Sequence, residues 1–252
     1  MNSRFLKTPA IVMNSTQFGE GHKLVRLYTE IQGKTEASAF GARKTKSRFG
    51  SRLEPFTVGE VLLYHKSEDS PFSIREMEVT DSNAAIRDDL GKFMVGSSCI
   101  ETVIRYVERE HRDPDLFRAL SDTLQVLSAV PQEKSLYVLS MYDVKFLSIM
   151  GYRPYAELCV KCSKPIEASE SYSDSTSGYP VCAQCRSATS MPVEPSVRRF
   201  FEWAVNEPMH RAVKVTMQEK TLQQVRRVLE HLYLYIFQKK PESWSQLRSP
   251  FV

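Results

Sequence analysis

Four of the five cysteines in this 252-residue chain stand in two Cys-x-x-Cys pairs, Cys159 with Cys162 and Cys182 with Cys185, with residues 163–181 between them. Few features restrict a fold more tightly. Each pair wraps one side of a metal ion through a tight turn, and the connection is long enough to double back so that four thiolates close a tetrahedron. Four protein ligands leave no position for water or substrate, which makes such a site structural. The intervening Ser171-Tyr-Ser-Asp-Ser-Thr-Ser-Gly-Tyr179 is turn-rich and poor in apolar side chains, so metal must supply the stability there. One zinc ion per chain is the expected occupant. Iron in the same cage, a redox dithiol and a pair of disulfides are the competing readings.

With 42% hydrophobic and 25% charged residues, the chain can bury a substantial core, and its length suits two domains. No apolar run approaches the roughly 18 to 20 residues needed to span a bilayer. Met1 to Met13 holds only a brief apolar stretch at Ala10-Ile-Val-Met13, so no signal peptide is expected. A reducing cytoplasm is the simplest home. There the lone Cys99 reads as a core residue, and the sequon at Asn14 carries no meaning.

The net charge of +4 is unevenly spread. Residues 1–58 carry ten lysines and arginines against four carboxylates (Glu20, Glu30, Glu36 and Glu54), a net of +6. Half of those cations fall in Gly41-Ala-Arg-Lys-Thr-Lys-Ser-Arg-Phe-Gly-Ser-Arg52, where no acid intervenes. A flexible cationic segment of this kind lays several side chains along a phosphate backbone and releases counterions, whereas the bland alternative is a solvated loop. Nucleic acid is the expected partner.

The flanking pattern predicts five short strands: Thr8 to Met13, Lys23 to Thr29, Lys34 to Phe40, Phe56 to Lys66 and Phe72 to Val79, the second and third joined at Gln32-Gly33. Five strands with no convincing helix among them, over residues 1–80, suit a small OB-fold barrel, and such barrels bind single strands with a basic groove and aromatic platforms. Tyr28, Phe40, Phe49, Phe56, Tyr64 and Phe72 are the candidate platforms, each weighed against a place in the barrel core.

From Asp81 the texture is helical, giving a second domain over residues 81–252. Ser82-Asn83 predicts a cap for a helix from Ala84 to Phe93, and Ser97 or Ser98 for one from Ile100 to Arg109. Asp113-Pro114 opens a helix to Val130 with Leu116, Leu120, Leu124 and Leu127 on one face. Lys134 to Met150, Ser196 to Val205 and Thr221 to Lys239 follow, with the cysteine ribbon inserted at about residues 155–190. The fold class is thus α+β: an N-terminal five-stranded OB-fold barrel, then an α-helical bundle with an inserted four-cysteine zinc ribbon. The last helix is amphipathic; bundle packing explains its apolar side, with membrane binding as the alternative.

Taken in order, Ala10-Ile-Val, Phe18-Gly-Glu20, Leu24-Val25, Gly41-Ala-Arg-Lys-Thr-Lys-Ser-Arg48 and Leu53-Glu-Pro-Phe56 resemble the bacterial RecO recombination-mediator family. Phe146-Leu-Ser-Ile-Met-Gly-Tyr152 before the cysteines and the closing Ser245-Gln-Leu-Arg-Ser249 extend that resemblance over nearly the full length. Ser163 departs from the glycine the family often places after its first pair, and some members lack the cysteines, so the resemblance alone assigns the metal no role beyond stability. The resemblance implies a protein that binds single- and double-stranded DNA and anneals complementary strands, including those coated by single-strand-binding protein. It also implies help in loading RecA together with RecR, contact with the acidic C-terminal tail of single-strand-binding protein, and a place in the cytoplasm near the nucleoid. Annealing requires phosphate repulsion to be screened while bases stay free to pair, so contacts go to the backbone. Lys34, Arg43, Lys44, Lys46, Arg48 and Arg52 are the expected contacts, and Cys159, Cys162, Cys182 and Cys185 the expected metal ligands.

No enzyme is expected. The chain has no Gly-x-x-x-x-Gly-Lys-Ser/Thr loop, no Gly-x-Gly-x-x-Gly and no His-Glu-x-x-His. His111-Arg112-Asp113 imitates part of a kinase catalytic loop but has Arg118 where the metal-binding asparagine would stand, so it reads as a helix-joining turn. The remaining histidines (His22, His65, His210 and His231) are scattered, and only Glu36 and Glu54 flank the basic loop. A zinc-ribbon RNA-binding or translation-associated protein is the alternative, and a preference for RNA over DNA would mark it.

Overall fold

The computed structural model describes residues 4–67, 70–109, 111–154, 157–167 and 170–247; Arg248 and Ser249 of the closing motif lie outside these. The chain divides into two compact units, one made of the residues up to 96 with 100–129, the other of 97–99 with 130 onward.

In the first unit, five strands close a barrel: β1 (Phe5–Phe18), β2 (His22–Thr29), β3 (Gly33–Ala39), β4 (Val58–Tyr64) and β5 (Phe72–Asp81). Their order is β1-β2-β3-β5-β4, with β4 returning to β1, and only β3–β5 is parallel. This is the OB-like arrangement expected. β1 serves two partners, pairing β4 through Phe5 to Ile11 and β2 through Ala10 to Phe18. A bulge at Met13, between Val12 and Asn14 in register, adds the local twist that lets one strand turn from one neighbour to the next. β4 and β5 come together closely at Gly59, where a Cβ would lie 2.1 Å from the Glu78 carbonyl oxygen. Alternation sends Val25, Leu27, Ala37, Ala39, Val61, Leu63 and Ile74 into one core. Tyr28, on the outer side of β2, is fully buried against Phe117, their ring centroids 6.2 Å apart.

Helices α1 (Ala84–Arg87), α2 (Leu90–Tyr106) and α3 (Pro114–Ala129) follow. The expected division, one helix to Phe93 and another from Ile100, is corrected here. Asn83 sits at φ 46°, in the left-handed region, where its Oδ1 reaches no first-turn N–H, and its Nδ2 donates to the Phe56 carbonyl (2.9 Å). The break falls at Asp88-Asp89, where the Asp89 carboxylate accepts the Lys92 N–H at 2.9 Å and starts α2. Ser97 and Ser98 then lie in mid-helix, and the helix stops at Tyr106, short of Arg109. Asp113 behaves as expected, accepting the N–H groups of Asp115 and Leu116 at 2.9 and 3.0 Å, and Leu116, Leu120, Leu124 and Leu127 are all fully buried.

The second unit is organised around α4 (Ser135–Ile149), which is buried on nearly every side through Tyr137, Leu139, Met141, Tyr142, Val144, Phe146 and Leu147. α5 (Pro195–Asn206) contributes Val197, Phe201 and Ala204, and α6 (Glu219–Phe237) contributes Val225, Leu229, Leu232 and Tyr233. A small sheet of β6 (Ser171–Ser173), β7 (Pro180–Cys182) and β8 (Met191–Pro192) lies between α4 and α5 in the chain. In the middle of α4 sits Asp143, with no solvent exposure. Arg226 donates to its Oδ2 at 2.5 Å and the Tyr233 hydroxyl to its Oδ1 at 3.1 Å. The Arg226 guanidinium lies 4.0 Å from the centroid of Trp244, whose indole N–H donates to Ser98 Oγ at 3.0 Å.

Burial raises the Asp143 pKa to about 6, against the opposing pull of Arg226 and Tyr233. Because the folded value lies above the unfolded one, the stability this carboxyl contributes is fully present below about pH 4 and is lost as pH rises through 6. The stability difference between wild type and Asp143→Asn should therefore move against the wild type from pH 4 to pH 7, which urea unfolding of both proteins at each pH would read. Movement the other way would mean that Arg226 outweighs burial. Arg226→Met, which strands the carboxylate, should cost about 3–5 kcal/mol at pH 7 in the same assay.

Candidate nucleic-acid surface and metal centre

Five of the six predicted cationic contacts come together on one loop. Arg43, Lys44, Lys46, Arg48 and Arg52 are exposed on the segment between β3 and β4, which ends in a short 3₁₀ turn at Gly50–Leu53. The expected flexibility is not what the structure shows. Ala42, Phe49 and Leu53 from the same segment are buried in the barrel core, pinning the loop at three points. Main-chain bonds complete the shape: Arg43 N–H donates to the Gly21 carbonyl (3.2 Å), Ser47 N–H to Lys44 (2.9 Å) and Arg52 N–H to Phe49 (2.9 Å). His22 Nδ1 accepts the Gly41 N–H at 2.9 Å, and the Arg52 guanidinium donates to the Arg48 carbonyl at 2.6 Å. Among the described residues, none of the five cations is in an ion pair. The flanking carboxylates are committed elsewhere, Glu54 to Lys23 (2.7 Å) and Glu36 to Arg26 (2.6 Å).

Lys34 stands apart from the loop. Its ammonium donates to the Ile104 carbonyl at 2.9 Å, and burial lowers its pKa. It lines a separate cavity of about 290 Å³ with Arg26, Glu36 and Arg109. Of the aromatic candidates, Tyr28, Phe49 and Phe56 are core residues, Phe40 is 56% exposed, and Tyr64 and Phe72 are half-buried. The bracing by His22 and the nearby Arg75 were not among the sequence candidates. Alternation along β5 marks Arg75 as outward, but nothing in the sequence places that strand beside the loop.

The four cysteines of the ribbon converge, with all Sγ atoms within 4.8 Å of one another and Cys162 Sγ 3.8 Å from Cys182 Sγ. A tetrahedral zinc with Zn–S about 2.3 Å requires sulfurs about 3.8 Å apart, so the donor set fits such an ion. Each pair turns as a metal knuckle does: Ser163 N–H donates to the Cys159 carbonyl (2.8 Å), and Cys185 N–H to the Cys182 carbonyl (3.1 Å). Ser163 takes φ 58°, the left-handed conformation that explains a glycine preference at this position. Burial alone would push the Cys159 thiol up, but the amides of Cys182, Cys162 and Lys161 more than offset it and hold it at about 6, while hydrogen bonds from Cys162 and Cys182 push Cys185 to about 12. Around the sulfurs the apolar core amounts to little more than Cys159, Ile166 and Val181 with Tyr172 alongside. The ribbon's turn presses onto α6 at Gly178 (φ +75°), where a Cβ would come within 2.8 Å of the Leu232 nitrogen.

No helix among the described residues is long and apolar enough to cross a membrane. The family profile described as "Recombination protein O N terminal" matches residues 1–83, and "Recombination protein O C terminal" matches residues 87–245. The DNA repair protein RecO of Caldanaerobacter subterraneus subsp. tengcongensis is 33% identical over 182 residues, 72% of each chain. That of Bacillus pumilus is 29% identical over 242 residues, covering 93% of this chain and 92% of the relative. That of Clostridium novyi is 28% identical over 238 residues, covering 94% and 91%. With both profiles in chain order and relatives aligned almost end to end, the chain belongs to the RecO family of DNA repair and recombination proteins.

Proposed function

We propose that this protein is a recombination mediator that binds single- and double-stranded DNA through its phosphates. In this reading it anneals complementary strands, including those coated by single-strand-binding protein, and helps load RecA together with RecR. The observation that carries the reading is the anchored loop, on which Arg43, Lys44, Lys46, Arg48 and Arg52 are held exposed with no carboxylate pairing them among the described residues. Fixed cations on a rigid support contact the backbone without reading sequence, and two strands brought together in this way lose part of their mutual repulsion while their bases stay free. Lys34 would have to leave the Ile104 carbonyl to join them and is the weakest member of the set. No bond is made or broken, so neither nucleotide nor a catalytic group is needed. The acidic tail of single-strand-binding protein and RecR are the protein partners of this reading, and the cytoplasm near the nucleoid is the compartment where all of them meet.

The cysteine cluster is assigned to one structural zinc, held by Cys159, Cys162, Cys182 and Cys185. Bound there, the ion would supply the cross-link that the small apolar core of the ribbon does not.

Annealing of complementary fluorescent oligonucleotides tests the reading directly: coated strands should anneal without nucleotide, whereas strand cleavage, or a preference for RNA, would replace the mediator with another function. Alanine at Arg43, Lys44, Lys46 and Arg48 together should weaken single-strand binding and flatten its log–log salt dependence by up to about three units, at roughly 0.7 per phosphate contact. An unchanged slope would move the DNA surface elsewhere. Native mass spectrometry should find one zinc per chain, lost in Cys159→Ser or Cys182→Ser together with protection of the ribbon from proteolysis; a metal-free, protease-resistant wild type would overturn the metal assignment.

A further inference from the structure

The loop cations alone do not distinguish a single strand from a duplex, since both present phosphates. The barrel unit has a second feature beside the loop. Alongside the loop lies a groove of about 630 Å³, lined by Arg48, Phe49 and Arg52 on one side and by Arg75, Glu76 and Glu78 of β5 on the other. It is open there because β5 pairs with β3 only at Phe72 and Ser73, so the strand beyond them has no β3 ladder. The Arg75 guanidinium lies 4.4 Å from the centroid of the Tyr64 ring, and Tyr64 in turn meets Phe5, its direct neighbour across β1 and β4, at 5.1 Å between centroids. Arg75 is exposed and Phe5 is 51% exposed, so this row of planar groups is open to solvent at both ends.

We infer that the groove and the Phe5–Tyr64–Arg75 row that meets it at Arg75 form a single-strand site, in which Arg48 and Arg52 take phosphates and the row takes an unpaired base. This inference rests on the nucleic-acid reading above and adds strand selectivity to it. Guanidinium and aromatic planes both stack on bases whatever their identity, whereas bases paired inside a duplex keep their faces covered by their neighbours. Glu76 and Glu78 share the groove and oppose the phosphates. Lys7, paired with Glu60, lies close enough for both of them to raise its pKa and offsets them in part. The site therefore holds a strand weakly enough to release it, and its carboxylates give the test a variant expected to gain affinity.

Fluorescence anisotropy of the whole protein would compare a short oligothymidylate, an abasic strand of equal length and charge, and a mixed-sequence duplex. Arg75→Ala should weaken oligothymidylate binding about tenfold, one stacked base's worth, and change the abasic strand and the duplex less than twofold. Glu76→Gln with Glu78→Gln should tighten both single strands severalfold and the duplex less, because only a strand lying in the groove passes both carboxylates. Equal losses on strand and duplex in Arg75→Ala, or unchanged single-strand affinity in both variants, would overturn the site while leaving the loop reading intact. A wild type that binds none of the three would remove the nucleic-acid reading and this inference together.

Discussion

The cationic loop keeps its shape because its own apolar residues are buried in the barrel beneath it. Five like charges within ten residues repel one another, but in water at about 4 Å each pair costs only about 1 kcal/mol, and salt screens the more distant pairs over about 8 Å. Burying Phe49 and Leu53 returns about 1.5–3 kcal/mol apiece, with Ala42 adding less, and this burial opposes the repulsion. The chain thus holds positive charge at high density on rigid backbone without neutralising it. A freely moving loop with the same charges would first have to lose conformational entropy on binding, at about 1–2 kcal/mol per residue fixed. Pre-ordering transfers that cost from the binding step to folding, where the barrel core offsets it.

The second unit solves a different problem. Its α4 is apolar on nearly all sides, yet carries Asp143 at its centre, and the three groups that meet this carboxylate or its partner come from distant points: Arg226 and Tyr233 on α6, and Trp244 near the end of the described chain. A buried ion pair of this kind adds little net stability, but removing one partner is expensive, so it disfavours packings that leave either charge alone. The ribbon depends on the opposite economy. With almost no apolar core, its position is fixed by the Gly178 contact with α6 and, in the proposed reading, by a metal held on the four sulfurs.

Much of this was legible in the sequence where the signal is local. Short apolar runs with turn residues between them, and alternation in the last, located the five strands, Asp113-Pro114 marked the start of α3, and the cysteine spacing gave the four-sulfur cluster. The misreadings have physical causes. Asn83 looks like a helix cap, but its left-handed backbone and its bond to the Phe56 carbonyl hold the side chain away from the first-turn amides, and Ser98 lies in mid-helix, accepting from an indole 146 residues away. Lys34 lies in the basic N-terminal stretch, residues 1–58, yet bonds to a carbonyl 70 residues on. Such contacts obey no periodicity. The loop's rigidity was hidden for the same reason: its small residues suggest flexibility, while the fate of Phe49 and Leu53 is settled only when the barrel closes.

Strand annealing makes two demands that pull against each other, because a protein that grips bases well prevents their pairing, and one that grips only phosphates holds duplex as readily as single strand. Separate chemistry for the two proposed contacts would resolve the conflict. In the proposed reading, the loop supplies a sequence-blind, salt-sensitive hold on phosphate, whose strength falls as counterions compete. A single short row of stacking groups, with Glu76 and Glu78 opposing it, would favour unpaired strands by the stacking of one base, about 1–3 kcal/mol. That margin is enough to bias capture toward single strands. It is also smaller than the free energy that several new base pairs release, so pairing itself can displace the strand from the groove.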